Sequence, residues 1–387
     1  MEENTRKDDF LLDSKIIYLN HGSFGATPRP VFTAYQKWQL ELERQPVEFL
    51  GRRASDLLAI SRSALANYLH TDRDNLVYIT NATTGLNIIA RSLRLGPGDE
   101  ILTSDHEYGA LDRTWQFLSQ KQGFTYINHP VRLPLTDSSS FIENFWDAVT
   151  NRTRVIFLSH ITSPTALIFP VDEICRRARQ HGIITVIDGA HVPGQIDLDL
   201  DDLGADFYSG NLHKWLCAPK GSAFLYAAPK VQPLIEPLVV SWGWQPENSG
   251  PSPFVDYLEW AGTRDISPFL AVPDAIQYQQ EHHWASIRSR CHELLSQTIN
   301  RIQNMTGLPD LAQTDSWYGQ MAAAFLPEEI DINHLKTILY EKYSIEVPLI
   351  RWNGHNLIRV SVQSYNTPED LDCLINALAE ELHLKAA

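Results

Sequence analysis

The sequence is poor in cysteine. Its 387 residues include only four, Cys175, Cys217, Cys291 and Cys373, and no two of them are close together. Structural zinc sites use cysteines a few residues apart, and secreted disulfide scaffolds use a much higher density of them. We therefore predict no metal site, reduced thiols and a cytoplasmic location.

Basic residues are also scarce relative to acidic ones. The chain has 32 lysines and arginines against 47 aspartates and glutamates, a formal net charge of −15. Nucleic-acid affinity depends on clustered basic side chains, so we expect no nucleic-acid partner. No apolar run is long enough to cross a bilayer, and the charged residues 1–9 lack the apolar core of a signal peptide. We therefore expect neither a membrane partner nor secretion.

Three common active-site motifs are absent as well. No Gly-x-Gly-x-x-Gly follows a strand pattern, no Walker-type Gly-Lys-Thr loop occurs, and no Gly-x-Ser-x-Gly elbow is present. These absences argue against dinucleotide binding, nucleotide hydrolysis and serine-hydrolase chemistry. The expected partner is another kind of small molecule.

What the sequence does contain is a regular alternation of apolar strands and amphipathic helices between residues 76 and 226. Such alternation is typical of an α/β domain with a mostly parallel sheet covered on both faces. A chain of this length exceeds one ordinary core. We predict an N-terminal segment (1–25), a large domain (26–265), and a linking helix with a small α+β domain (266–387).

Chemistry-bearing residues follow several of the predicted strands. Thr83, Tyr108 and Asp188 each stand where such a strand ends. Ligands of parallel sheets bind beyond the carboxyl ends of the strands, so we expect these side chains on one rim. The segment 80–85 joins a strand to a helix with small and hydroxyl residues, which suits an anion at a helix N-terminus. Thr83 is equally compatible with an ordinary helix cap.

Lys214 lies in an apolar setting, between Leu212 and Trp215 after a predicted buried strand at 206–208. Taken alone it is an ordinary lysine that extends to solvent. A buried amine is, however, unprotonated and can condense with a carbonyl group. Together with the rim residues, Lys214 meets the requirements of pyridoxal phosphate: a lysine, a carboxylate for the ring nitrogen, a stacking ring and a phosphate site.

Seven segments extend this pattern along the chain. They are 19–25 (Leu-Asn-His-Gly-Ser-Phe-Gly), 81–84 (Asn-Ala-Thr-Thr), 106–108 (His-Glu-Tyr), 163–166 (Ser-Pro-Thr-Ala), 188–191 (Asp-Gly-Ala-His), 213–221 (His-Lys-Trp-Leu-Cys-Ala-Pro-Lys-Gly) and 359–361 (Arg-Val-Ser). In this order and spacing the sequence resembles the fold-type I, class V aminotransferase family, above all its isopenicillin N epimerase-like members. The resemblance implies a seven-stranded, mostly parallel sheet, pyridoxal 5′-phosphate as cofactor, and a homodimer with active sites at its interface.

The resemblance also implies roles for individual residues. Lys214 would bind the cofactor covalently and act as a catalytic base, with Tyr108 covering the ring and acting as a second catalytic group. The remaining cofactor contacts would be Asp188 at the ring nitrogen, His191 and Ser163 near the ring oxygen, Ala82, Thr83, Thr84, Asn211 and His213 at the phosphate, and Thr263 reaching the phosphate from the other subunit. Arg359 would bind the substrate α-carboxylate, with His21 and Gly22 nearby. Ser163 replaces the asparagine that is usual in the family.

Plainer alternatives remain for some of these residues. His21 is also compatible with a turn, Arg359 with an exposed strand position, and Cys217 with a packed thiol. The segment 346–356 contains no cysteine, whereas desulfurases of the family carry one there, so persulfide formation is disfavoured.

The favoured function is that of an epimerase-like enzyme that removes a proton from Cα of an amino acid or an amino-acid-containing substrate. A C–S β-lyase, an aminotransferase and a non-catalytic cofactor-binding regulator are the alternatives. The sequence does not identify the side chain of the substrate.

Overall fold

The computed structural model describes residues 5–385, so residues 1–4 of the predicted N-terminal segment lie outside it. Its strands are β1 Ile17–Tyr18, β2 Leu76–Ile79, β3 Glu100–Ser104, β4 Thr125–His129, β5 Thr153–Ser159, β6 Ile184–Asp188, β7 Phe207–Asn211, β8 Ala223–Ala227, β9 Met321–Leu326, β10 Ile345–Glu346, β11 Leu349–Trp352 and β12 His355–Ser361. The central sheet has seven strands in the order β2-β8-β7-β6-β5-β3-β4. Strand β8 is antiparallel to both of its neighbours and the other pairings are parallel. The predicted mostly parallel α/β sheet is confirmed.

The helices are α1 His21–Phe24, α2 Arg29–Arg44, α3 Pro46–Glu48, α4 Ala54–Tyr68, α5 Ala82–Ser92, α6 Gly109–Gln122, α7 Ser138–Trp146, α8 Val171–Gln180, α9 Leu200–Leu203, α10 Pro253–Glu259, α11 Ser267–Leu270, α12 Val272–Glu281, α13 Trp284–Thr306, α14 Ile332–Glu341 and α15 Pro368–Glu381. Within residues 5–385 no helix is both long and apolar enough to cross a bilayer.

The inner strands of the central sheet are buried on both faces, and β5 shows why, because it is apolar at successive positions. In β5, Val155 and Phe157 belong to the core formed with α5, α6 and α10, while Ile156 and Leu158 belong to the core on the opposite face. Side chains alternate between the two faces of a strand, so an uninterrupted apolar run buries both. This is why the strand positions were predictable from hydrophobicity.

A separate core lies in the C-terminal part of the chain, where β9, β11 and β12 form a three-stranded antiparallel sheet. The N-terminal segment joins this part, since β1 pairs in parallel with β10. Short α1 follows β1 and lies beside the C-terminal ends of β6 and β7, where Gly22 faces His191.

Two boundaries differ from the prediction. Strand β7 continues to Asn211, three residues past the predicted end, because the apolar pattern stops at Tyr208 whereas the pairing with β8 does not. The single linking helix predicted at the start of the segment 266–387 is three helices, α11, α12 and α13. It breaks at His283, whose φ of 50° interrupts the helical backbone.

The segment carrying Lys214 runs between two glycines in left-handed conformation. Gly25 has φ +70°, and a Cβ there would lie 2.0 Å from the carbonyl oxygen of His213. Gly194 has φ +89°, and its Cβ would lie 2.3 Å from the carbonyl oxygen of Trp215. The backbone on both sides of Lys214 therefore packs so closely against Gly25 and Gly194 that neither of these positions has room for a side chain.

Replacing Gly25 with alanine is expected to lower the free energy of unfolding by more than about 3 kcal/mol, because strain and a backbone clash act together. Gly182→Ala is the matched control, since Gly182 has φ +66° and open space around it. That control is expected to cost only about 1–2 kcal/mol. Denaturant midpoints of both variants check this, and equal midpoints would contradict the role given to the close packing.

Candidate active site

A cleft of about 510 Å³ opens at the C-terminal ends of the central strands, between the large sheet, α1 and β12. It brings together most of the side chains singled out from the sequence. Those that line it are Gly22, Ala82, Thr83, Tyr108, Ser163, Asp188, His191, Asn211, His213, Lys214 and Arg359.

Lys214 follows β7 by three residues and extends its amine into this cleft. Its Nζ lies 3.2 Å from Nε2 of His191. Burial, with Arg359 as the next cause, lowers the pKa of the Lys214 amine to about 7, against the opposing influence of Asp188. An amine with this pKa is available as a nucleophile near neutral pH.

Asp188 ends β6 and is almost fully buried. One carboxylate oxygen accepts a hydrogen bond from the backbone N–H of Ala190 at 2.9 Å. Burial raises the pKa of the Asp188 carboxyl to about 6, while the Ala190 bond and Lys214 act in the opposite direction. A buried carboxylate in this position favours a cationic ligand group, such as a protonated ring nitrogen.

The N-terminus of α5 faces the same cleft. Asn81 caps the helix by accepting from the N–H of Thr84 at 2.8 Å, and Asn211 accepts from the N–H of Ala82 at 2.9 Å. Thr83 and His213 line the cleft beside this helix end. The positive end of the helix dipole, together with Thr83 between the two bonded N–H groups, makes this a suitable place for a phosphate.

Tyr108 stands directly before α6, and its ring is 45% exposed in the cleft. The neighbouring Glu107, which the sequence indicated only as part of the segment 106–108 and without a role of its own, is buried. Its carboxylate accepts from Oγ of Ser104 at 2.6 Å and from the N–H of Ser159 at 2.9 Å. Glu107 therefore ties the segment before Tyr108 to the end of β5.

Arg359, on β12, is buried and points into the cleft. It donates to the carbonyl oxygen of Ser163, to Oγ of Ser163 at 3.4 Å and to Oγ of Ser23 at 3.3 Å. Within residues 5–385 its Nε has no hydrogen-bond partner and no carboxylate pairs with it. Burial lowers the pKa of the guanidinium to about 10, at which it is still a cation at neutral pH. A buried cation held only by neutral groups favours an anionic ligand.

Comparison with known proteins agrees with this site. Residues 17–374 match the family model described as aminotransferase class-V. The chain belongs to this family. The predicted family, and with it a pyridoxal-phosphate-dependent enzyme, is confirmed.

Individual relatives place the chain within the class-V aminotransferases. It is 36% identical to an isopenicillin N epimerase of Amycolatopsis lactamdurans, over 97% of each chain. It is 28% identical to a probable chloroplastic L-cysteine desulfhydrase of Arabidopsis thaliana, over 95% of this chain and 83% of that protein. A solved structure of a cystine C–S lyase with its product cysteine persulfide superposes with a TM-score of 0.83 at 23% identity, over 95% of this chain and 98% of that chain. This last likeness concerns the fold alone.

Three residues singled out from the class-V resemblance lie outside the cleft. His21 is fully buried, with Nδ1 2.9 Å from the hydroxyl of Tyr365 and Nε2 3.0 Å from the carbonyl oxygen of Lys214. Thr84 directs its hydroxyl to Asn81 Oδ1 at 3.0 Å. Thr263 is exposed and does not line the cleft of its own chain. His21 and Thr84 thus support the backbone of the class-V site, since their polar atoms already bond to protein groups.

Some cleft residues were missed by the sequence reasoning. Ser23 and Phe24 line the cleft from α1, and Ile161 lines it beyond the end of β5. Ser23 and Phe24 belong to the segment 19–25, which was noted for its glycines and histidine rather than for them. Nothing in the local pattern around Ile161 distinguishes it from an ordinary core residue.

Proposed function

We propose that this class-V enzyme epimerises an amino acid or amino-acid-containing substrate at Cα. The observation that carries the proposal is the placement of two basic groups, the partly buried Lys214 and the buried Arg359, on one cleft that Asp188 also lines. Lys214 can bind a carbonyl compound covalently, and Arg359 can bind a carboxylate. An α-amino acid bound through its amine and its carboxylate uses both.

The residues of the cleft fit pyridoxal phosphate. Lys214 would hold it covalently, Asp188 would face its ring nitrogen, and Thr83 with the N-terminus of α5 would receive its phosphate. Tyr108 is free to cover the ring. When bound, this cofactor acts as an electron sink that makes the Cα proton of an attached amino acid acidic.

The chain itself supplies orientation and proton transfer. Arg359 holds the substrate carboxylate through its planar fork of donors, which fixes the direction of the Cα–H bond. Lys214 Nζ removes that proton from one side. Tyr108, an exposed phenol on the same cleft, delivers a proton from the other side. Two proton-transfer groups are what inversion at Cα requires.

Epimerisation is supported over persulfide chemistry by the cysteine positions. Cys175, Cys217 and Cys291 are buried, Cys373 is on α15, and none of them lines the cleft. The identity of 36% with an isopenicillin N epimerase supports the same reaction class. A C–S β-lyase is the second candidate, supported by the desulfhydrase relatives, since removal of the Cα proton also precedes β-elimination.

Product analysis separates the two candidates. The purified enzyme is incubated in deuterated water with a panel of amino acids and short peptides, followed by chiral chromatography and assays of ammonia and pyruvate. Inversion with deuterium at Cα and no ammonia supports the epimerase. Release of ammonia together with an oxo acid from sulfur amino acids would contradict the epimerase and show that the enzyme is a C–S β-lyase.

Tyr108→Phe is expected to lower the rate of epimerisation by about 10²-fold or more, because a general acid contributes roughly that much. Exchange of the Cα proton with retained configuration is expected to persist, since Lys214 is intact. Tyr340→Phe, on α14 with a side chain 50% exposed, serves as control. If Tyr108→Phe epimerised its substrate at the wild-type rate, Tyr108 would have no part in the mechanism.

We also propose a cytoplasmic homodimer with the domain boundaries given above. The separate cores of the central sheet and of the C-terminal sheet support the division into large and small domains. Dimerisation is supported by exposed apolar residues at 234–244, among which Trp242 is 83% exposed. Thr263, exposed beyond α10, is the residue proposed to reach the partner's phosphate. Sedimentation of the purified chain tests the dimer.

A further inference from the structure

Trp215, next to Lys214, has a contact that the proposed mechanism does not use. Its side chain is fully buried, and its indole Nε1 donates to Nδ1 of His191 at 3.3 Å. The other ring nitrogen of His191, Nε2, lies 3.2 Å from Nζ of Lys214. The three side chains form a row that runs from the core to the cleft.

The chemistry of these groups decides where the His191 proton lies. An indole N–H is only a donor, so Nδ1 must accept and cannot carry a hydrogen. Burial lowers the pKa of His191 well below its ordinary value, so the ring is neutral. A neutral imidazole has one proton, which must then be on Nε2. Nε2–H can only donate to Lys214, and the group that accepts this bond is an unprotonated amine.

We propose that Trp215 is a positioning residue that keeps His191 in the neutral tautomer protonated on Nε2, and that this tautomer favours the unprotonated form of the Lys214 amine. The inference rests on the proposed role of Lys214 for its functional meaning. His191 presents a donor, not an acceptor, to whatever group occupies the position of the amine.

The other groups around the amine do not reproduce this effect. Asp188 at the end of β6 favours the ammonium form, whereas Arg359 on β12 disfavours it by like charge. Nδ1–H of His213 donates to the carbonyl oxygen of Ser222, 3.0 Å away, and not to the amine. His21, on α1, contacts the carbonyl oxygen of Lys214 and not its amine. Only His191 is within hydrogen-bond distance of Nζ within residues 5–385.

Trp215→Phe removes the indole N–H and keeps an aromatic ring. His191 can then move its proton to Nδ1 and accept at Nε2 from an ammonium, so the pKa of Lys214 rises. The chain provides a matched control in Trp115→Phe, because Trp115 is equally buried but its indole N–H has no hydrogen-bond partner among residues 5–385.

The experiment uses the full chain labelled with ¹⁵N-histidine, after removal of bound cofactor with hydroxylamine. The His191 signals are identified by their loss in His191→Gln. In the wild type and in Trp115→Phe, Nδ1 is expected to resonate as an unprotonated nitrogen and Nε2 as a protonated one. In Trp215→Phe both tautomers are expected.

The second readout is the pH dependence of reductive alkylation of Lys214 by a small aldehyde with cyanoborohydride, followed by peptide mass spectrometry. The midpoint is expected to move upward by about one pH unit in Trp215→Phe, which corresponds to about 1.4 kcal/mol and lies within the range of one hydrogen bond. Trp115→Phe is expected to leave it unchanged.

A wild-type His191 protonated on Nδ1 would overturn the inference without any variant, even if Trp215→Phe failed to fold. Equal alkylation midpoints for Trp215→Phe and Trp115→Phe would overturn the inference that this tautomer favours the unprotonated amine of Lys214. Neither measurement involves turnover, so a chain with the expected tautomer but no activity on amino acids would refute the proposed function and leave the role of Trp215 standing.

Discussion

Lys214→Ala is expected to lower turnover by about 10³-fold or more and to remove the absorbance band of the lysine-bound cofactor. The loss combines two roles, covalent attachment and proton transfer at Cα, each of which contributes by orders of magnitude. Spectra recorded with added pyridoxal phosphate and rates measured with the best substrate of the panel check this result.

The control for this variant is Lys220→Ala. Lys220 is six residues further along the same segment and does not line the cleft, so both the band and the rate are expected to remain. An intact band in Lys214→Ala, or its loss in both variants, would contradict the assignment of Lys214.

The free energy of unfolding of Lys214→Ala shows whether this variant folds. Burial lowers the pKa of Lys214 from 10.5 to about 7. Between these two values the unfolded chain binds a proton that the folded chain does not, so the stability of the cofactor-free enzyme rises with pH through this window. Below about pH 7 the full cost of the buried ammonium is present. Cofactor-free Lys214→Ala is therefore expected to be at least as stable as the wild type at neutral pH.

Arg359→Gln is expected to lower kcat/KM for amino acids by about 10²–10³-fold, since truncating one partner of a buried charge pair costs about 2–5 kcal/mol. Glutamine can still bond to the carbonyl oxygen of Ser163, so the variant keeps the local contact that Arg359 makes without substrate. Arg359→Lys is expected to recover little of the loss, because a single ammonium lacks the planar fork. Steady-state kinetics check both variants.

Two controls make the Arg359 result specific. Arg351→Gln changes an exposed arginine on the adjacent strand β11 and is expected to leave kcat/KM unchanged. Primary amines without a carboxylate are expected to react equally poorly with wild type and Arg359→Gln, if Arg359 acts through the carboxylate. An equal loss for amines and amino acids would show that Arg359 acts on the structure of the site instead.

The sequence predicted those parts of the fold that depend on the residues within one element, and not those that depend on pairing between distant elements. The alternation predicted from residue 76 begins with strand β2, 76–79, because a short apolar run between polar residues is sufficient evidence by itself. Strand β11 has only four residues, three apolar and one charged, without a regular alternation, and it was not predicted. The antiparallel orientation of β8 depends on its pairing with β2 and β7, which no local pattern encodes.

The candidate site divides in the same way. Lys214, Asp188 and Arg359 were identified because residue type, order and spacing along the chain indicate their chemistry. His21 and Thr84 share those segments, yet their polar atoms bond to Lys214 and Asn81 and do not enter the cleft. The direction in which a side chain points depends on residues that can be hundreds of positions away in the chain, as Tyr365 is from His21.

The sequence by itself determined the family, the cofactor chemistry and the lysine on which both depend. These follow from residue types at a fixed order along the chain, which folding does not alter. Only the tertiary structure decided the state of that lysine. The position of the His191 proton depends on a 3.3 Å contact from the Trp215 indole across 24 residues of chain, and the availability of Arg359 depends on the absence of an acidic side chain around it within residues 5–385. Protonation and pairing are properties of distances between groups, and distances between groups remote in the chain exist only once the chain has folded.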